Sequence, residues 1–116
     1  MDKINILSEG ERFNDINEKL LSLPEEKAQA FEEYCHKRLW RDGVRANIFI
    51  QKRSINEKAA VAVIEALVDI DEEVQDATRE SFLAEAKFKR FSDLLDSYME
   101  IARNERSLLR NIDPSA

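Results

Sequence analysis

The sequence predicts an all-α protein. It reads as an N-terminal helical hairpin over 8–43, a basic connector over 44–54, and a long heptad-patterned helix or helix pair over 55–112. The long helix is expected to pack in a helical bundle or a coiled-coil oligomer. Three observations carry this reading. Only two glycines and two prolines occur in 116 residues, too few for the many turns of a β-rich fold. Three stretches carry the same helix-start signature. From Ile55 to Ile112 there is neither Gly nor Pro, and apolar residues recur there with a period of seven.

Taken in order, Ser8-Glu9-Gly10-Glu11 fits a capping box, with Ser8 as N-cap and Glu11 three residues on. It opens a first helix over about 9–21, with Phe13, Ile16 and Leu20 on one face. Ser22-Leu23-Pro24-Glu25 repeats the signature, with Pro24 in a first turn where its missing N–H costs nothing. The second helix, about 24–42, would bury Ala28, Phe31, Cys35 and Leu39, with Tyr34 and Trp40 beside them. Gly43 stands where a left-handed C-cap is favoured. Lys37, Arg38 and Arg41 suit the negative end of that helix.

Residues 44–53 are ambiguous. Val44, Ala46, Ile48 and Ile50 alternate with more polar residues at a strand-like period of two, yet Val44, Ile48 and Ile50 also fit one face of a helix. A lone strand would need a partner from a second copy, so helix is the preferred reading. Ser54-Ile55-Asn56-Glu57 gives the third capping signature.

With Leu67 set as position a, the a positions are Leu67, Val74, Ser81, Phe88, Leu95, Ala102 and Leu109. The d positions are Ile70, Ala77, Ala84, Phe91, Tyr98, Glu105 and Ile112. Only Ser81 and Glu105 depart from an apolar or aromatic seam. Leu94, Ile101 and Leu108 add a stripe at g, and Met99 sits at e. A two-stranded coil favours charge at g, so the distal half is expected in a bundle of three or more helices. A continuous helix over 55–112 would span roughly 85 Å, against a radius of gyration of about 13 Å for a compact domain of this size. It must therefore break, near 68–71 or 92–93, or associate with other chains. With no Gly or Pro at either place, association is favoured.

Composition narrows the function. A net charge of −6 favours solubility and argues against a surface that coats nucleic acid. The single cysteine, the lack of an apolar leader and the lack of a long apolar run point to a cytoplasmic protein with no membrane partner. Nucleophilic catalysis needs a base held beside the nucleophile, but Cys35 and His36 are helix neighbours pointing about 100° apart. Glu33 and His36 form half of a di-metal carboxylate motif, but one histidine cannot complete the site. Two glycines cannot build a phosphate loop. No catalytic, cofactor-binding or metal-binding residue is assigned, and no cofactor is expected.

Two charge runs remain. Between Lys37 and Lys58 lie seven cations against Asp42 and Glu57, with Trp40 and Phe49 interleaved. Lys37, Arg38, Arg41, Arg45, Lys52 and Arg53 are the candidate phosphate contacts if nucleic acid is a partner. Residues 65–85 carry eight acids against Arg79 alone. Pairing of the basic with the acidic run, within a chain or between chains, is the preferred explanation. The leading expectation is a non-enzymatic helical adaptor or homo-oligomer. Its interface would be Phe88, Phe91, Leu94, Leu95, Tyr98, Ile101 and Leu109, with Phe31, Leu39 and Trp40 as anchors in the N-terminal half. The alternatives are an accessory nucleic-acid-binding protein, or an inhibitor whose acidic helix 69–85 mimics nucleic acid.

Overall fold

The computed structural model describes residues 9–112, and they form three helices: α1 (Glu9–Ile55), α2 (Val61–Asp69) and α3 (Glu72–Ile112). No strand occurs among the described residues, and 44–53 is helical. The chain divides into two compact units. Gln29–Phe88 forms one. Residues 9–28, together with residues 89–112, form the other.

The all-α class and the long heptad-patterned helix are as expected, but the N-terminal hairpin is not. One 47-residue helix replaces the two expected over 9–21 and 24–42 and absorbs the connector. Ser22 and Pro24 lie inside it, so their capping signature is not used. Pro24 cannot donate to the carbonyl four residues back, and the helix runs through at the cost of that hydrogen bond. Gly43 is also helical, and no glycine among the described residues has a positive φ. A Cβ built on Gly43 meets nothing within 4 Å. Gly43→Ala is therefore expected to raise stability by about 1 kcal/mol, read as a higher urea midpoint. The Ser8 cap lies outside the described residues.

Ser54 does not start a helix either. It falls in the last turn of α1, and α2 begins after Ala60, which makes no side-chain cap. Two side chains tie the α1–α2 turn instead. Asn56 Nδ2 donates to the Lys52 carbonyl at 3.0 Å. Arg53 Nη1 donates to the Ala59 carbonyl at 2.7 Å.

The break expected near 68–71 is present, at Ile70-Asp71. No break occurs at 92–93. Asp71 caps α3, its Oδ1 accepting the Glu73 N–H at 3.0 Å, while Glu72 and Glu73 place negative charge in the first turn. Asp71 Oδ2 also lies 3.4 Å from Lys52 Nζ. Asp71→Ala is expected to cost about 1–2 kcal/mol, measured by denaturant unfolding, because cap and ion pair are lost together.

In the Gln29–Phe88 unit, the core gathers where the three helices meet. Ile48 of α1, Ile64 and Val68 of α2 and Val74 of α3 are buried, with Val44, Phe49 and Ala59 packed around them. Ile64 and Val68 are 0% exposed. Ala77, Ser81 and Ala84 continue the α3 seam, and Phe88 is half-buried. The α1 face that turns inward is Ala30, Tyr34, Lys37, Arg41, Val44 and Ile48, spaced alternately by four and three. The expected face of Ala28, Phe31, Cys35 and Leu39 is not that one. Ala28, Phe31 and Leu39 are exposed and Cys35 is half-buried. The reason is that Lys37 and Arg41 can lay their methylene stems in the seam and keep their charges at its edge.

In the other unit, Ile16, Leu23 and Ala102 are buried, and Leu20, Phe91, Leu95 and Tyr98 are half-buried. The two exceptions in the α3 seam meet different fates. Glu105 is half-buried, with Oε1 3.6 Å from Arg12 Nη1. Ser81 is 1% exposed, and its hydroxyl has no hydrogen-bond partner. An unsatisfied buried hydroxyl costs about 1–3 kcal/mol. Ser81→Ala is therefore expected to stabilise the protein by about 1 kcal/mol, visible as a higher melting temperature.

Candidate functional site

Lysine and arginine on α1 meet carboxylates on α2 and α3 because the two charge runs fall at matching heights. Lys37 Nζ donates to Glu80 Oε2 at 3.2 Å. Arg45 Nη1 lies 2.7 Å from Asp69 Oδ1, and Lys52 lies 3.4 Å from Asp71. Lys87 of α3 reverses the polarity by donating to Glu33 of α1 at 3.2 Å. Partners on α3 fall in number as those on α1 rise, so the two segments run antiparallel within this unit. The Lys37, Arg45 and Lys87 pairs are well hydrated and each adds no more than about 1 kcal/mol, whereas the Lys52 and Asp71 side chains are only 30% and 18% exposed. Their combined effect is on register, since a shift by one heptad would set Lys37 against Lys87 in one direction and Glu33 against Glu80 in the other.

All six candidate phosphate contacts thus have partners within the chain. Besides Lys37, Arg45 and Lys52, Arg41 pairs with Asp42 at 3.1 Å. The Arg38 guanidinium lies 5.4 Å from the centre of the Tyr34 ring. Arg53 donates to the Ala59 carbonyl. The preferred pairing of the basic and acidic runs had its signal in the sequence, in the excess of opposite charge on the two segments.

An aromatic cluster continues the same interface. The Phe31 and Phe88 rings lie 5.1 Å apart, and Tyr34 stacks on Phe88 at 6.5 Å. Phe88 is thereby engaged within its own chain. Phe91, Leu95 and Tyr98 are half-buried. The side chain of Leu109 lies outside the described residues.

The g stripe behaves differently from the seam beside it. Leu94, Ile101 and Leu108 are 41%, 42% and 56% exposed, although the sequence placed them in a bundle. Ser97 and Asn104, between them on the same face, are exposed as well. Met99 is also exposed. In the Gln29–Phe88 unit, Leu39, Trp40 and Ile50 are exposed apolar side chains of α1, with Trp40 62% exposed. A separate solvent-open groove in this unit is lined by Val74, Gln75, Thr78, Arg79 and Phe82 of α3 with Arg45 and Asp69.

No cluster of three or more metal-ligating side chains occurs among the described residues. His36 is exposed and sits 3.7 Å from Glu32, while Glu33 faces Lys87, so the Glu33/His36 half-motif is not assembled. No described helix is long and apolar enough to cross a membrane. No family model, no curated protein and no solved structure matches this chain.

Proposed function

We propose that the chain is a non-enzymatic helical adaptor that holds a protein partner, including further copies of itself, through the outer face of α3. The observation that supports this most is the exposed stripe of Leu94, Ile101 and Leu108. The a and d seam of α3 is largely turned inward, so these three residues supply apolar surface that folding leaves uncovered. Recurring once per heptad, they present a line that another helix can follow. Scattered single apolar residues are ordinary on a surface, whereas an ordered line of them marks contact with another protein.

The charge pattern supports the same reading over nucleic-acid binding. Phosphate would have to compete with carboxylates that Lys37, Arg45 and Lys52 already hold. Binding by counterion release requires cations whose charge is not already balanced.

The test is affinity capture from the native host with the wild type and with Leu94→Gln/Ile101→Gln, each with and without nuclease. Protein captured by the wild type after nuclease and lost with the variant is the expected result. Capture abolished by nuclease, or equal for both proteins, overturns the reading.

A further inference from the structure

We infer that the partner on this face is a second copy of the same chain, docked antiparallel about a two-fold axis through Ile101. The inference rests on the reading that the α3 stripe is a contact surface, and names its occupant. Leu94, Ser97, Ile101, Asn104 and Leu108 are spaced by three, four, three and four residues, the period of a helix–helix seam. All five are exposed and none is charged. The pattern is also self-complementary. A dyad at Ile101 sets Leu94 against Leu108 of the second copy and Ser97 against Asn104 of the second copy, with the two Ile101 side chains meeting at the centre. Closed two-fold dimers need a patch of this kind, in which each residue finds its opposite number on an identical surface.

Charge supplies the orientation. Glu100 and Arg103 lie on the same flank of this seam, one turn apart and both exposed. Neither has an ion-pair or hydrogen-bond partner among the described residues. About the Ile101 dyad, Glu100 of each copy faces Arg103 of the other, giving two equivalent pairs. A parallel arrangement in register would instead carry the two flanks to opposite edges of the seam, where Glu100 and Arg103 of one copy meet neither residue of the other. Only the antiparallel arrangement brings these opposite charges together across the seam. The seam is short, with three large apolar side chains per copy. It falls toward the small end of specific interfaces, so the dimer is expected to form in the micromolar range or weaker.

Sedimentation velocity from about 1 to about 300 µM, a range chosen to bracket micromolar affinity, tests this on the full chain. The wild type is expected to pass from monomer to dimer. Ile101→Glu is expected to weaken dimerisation by roughly 100-fold, since the dyad doubles each substitution, with unchanged helicity by circular dichroism. Glu100→Arg and Arg103→Glu should each weaken the dimer, and the double exchange Glu100→Arg/Arg103→Glu should restore it. A Cys35→Ser background gives the orientation. There, Leu94→Cys mixed with Leu108→Cys should cross-link under oxidation, and Leu94→Cys alone should not. A dimer insensitive to Ile101→Glu, or cross-linking of Leu94→Cys alone, overturns this inference while leaving a partner-binding role intact. A monomer throughout the range overturns it too. Variant-sensitive capture of a different protein in that case would leave the adaptor reading standing.

Discussion

Truncation of Ile64 to alanine is expected to cost about 3 kcal/mol, within the usual 2–5 kcal/mol for a fully buried aliphatic side chain. Ile64 is 0% exposed and sits where α2 meets Ile48 of α1 and Val74 of α3. α2 has only nine residues, too few to be helical without packing. Losing its anchor should therefore release α2 as well as open a cavity. Urea unfolding followed at 222 nm measures the loss. Val63→Ala, one residue away on an exposed position, is the control and should change stability by less than about 0.5 kcal/mol. Equal effects of the two substitutions would mean that α2 is not docked through Ile64.

Phe88→Asp is expected to be similarly damaging, by about 3 kcal/mol or more, because it removes an aromatic contact and sets a charge beside two rings. Phe88 packs between Phe31 and Tyr34 of its own chain. The expected result is a lower melting temperature for the wild-type-length chain at every concentration, rather than loss of association alone. Phe88→Leu retains most of the apolar volume and should lose far less. If Phe88→Asp kept its melting temperature and lost only self-association, Phe88 would belong to an interface between chains.

Much of the architecture was legible in the residues. The α3 seam could be read from Val74 to Glu105 because burial follows a seven-residue period and no Gly or Pro interrupts it. The break at Ile70-Asp71 was readable only as a candidate, from the two aspartates beside it, because the absence of Gly and Pro favoured an unbroken helix; Asp71 supplies the cap instead. α1 was not readable as one helix. Pro24 and Gly43 are local terminators by propensity, and each costs a helix only about 1–3 kcal/mol. Pairing along an extended face outweighs that cost, and pairing is not a local property. The inward face of α1 was hidden for a related reason. Phe31 and Leu39 look more core-like than Lys37 until Glu80 is known to lie opposite its side of the helix.

The candidate surface shows the same limit. Leu94, Ile101 and Leu108 were identifiable as an additional stripe, and the natural expectation was a third helix in a bundle. Their exposure could not be read from the sequence, since it depends on how many helices the chain can bring to that face. Lys37, Arg38, Arg41, Arg45, Lys52 and Arg53 were identifiable as a basic run. Their partners required the register of α1 against α2 and α3, which the charge excess suggested without fixing the individual pairs.

The central claim is that the chain folds through its own inward seams and associates through a separate outer face, so folding and association can be separated. Far-UV circular dichroism across a dilution series, from about 200 µM to about 1 µM, tests this most directly. The expected result is constant helicity and a melting temperature that barely moves, even where sedimentation shows the dimer dissociated. Helicity that falls with dilution would contradict the claim, because it would mean that the seams of α1 and α3 are completed by other chains.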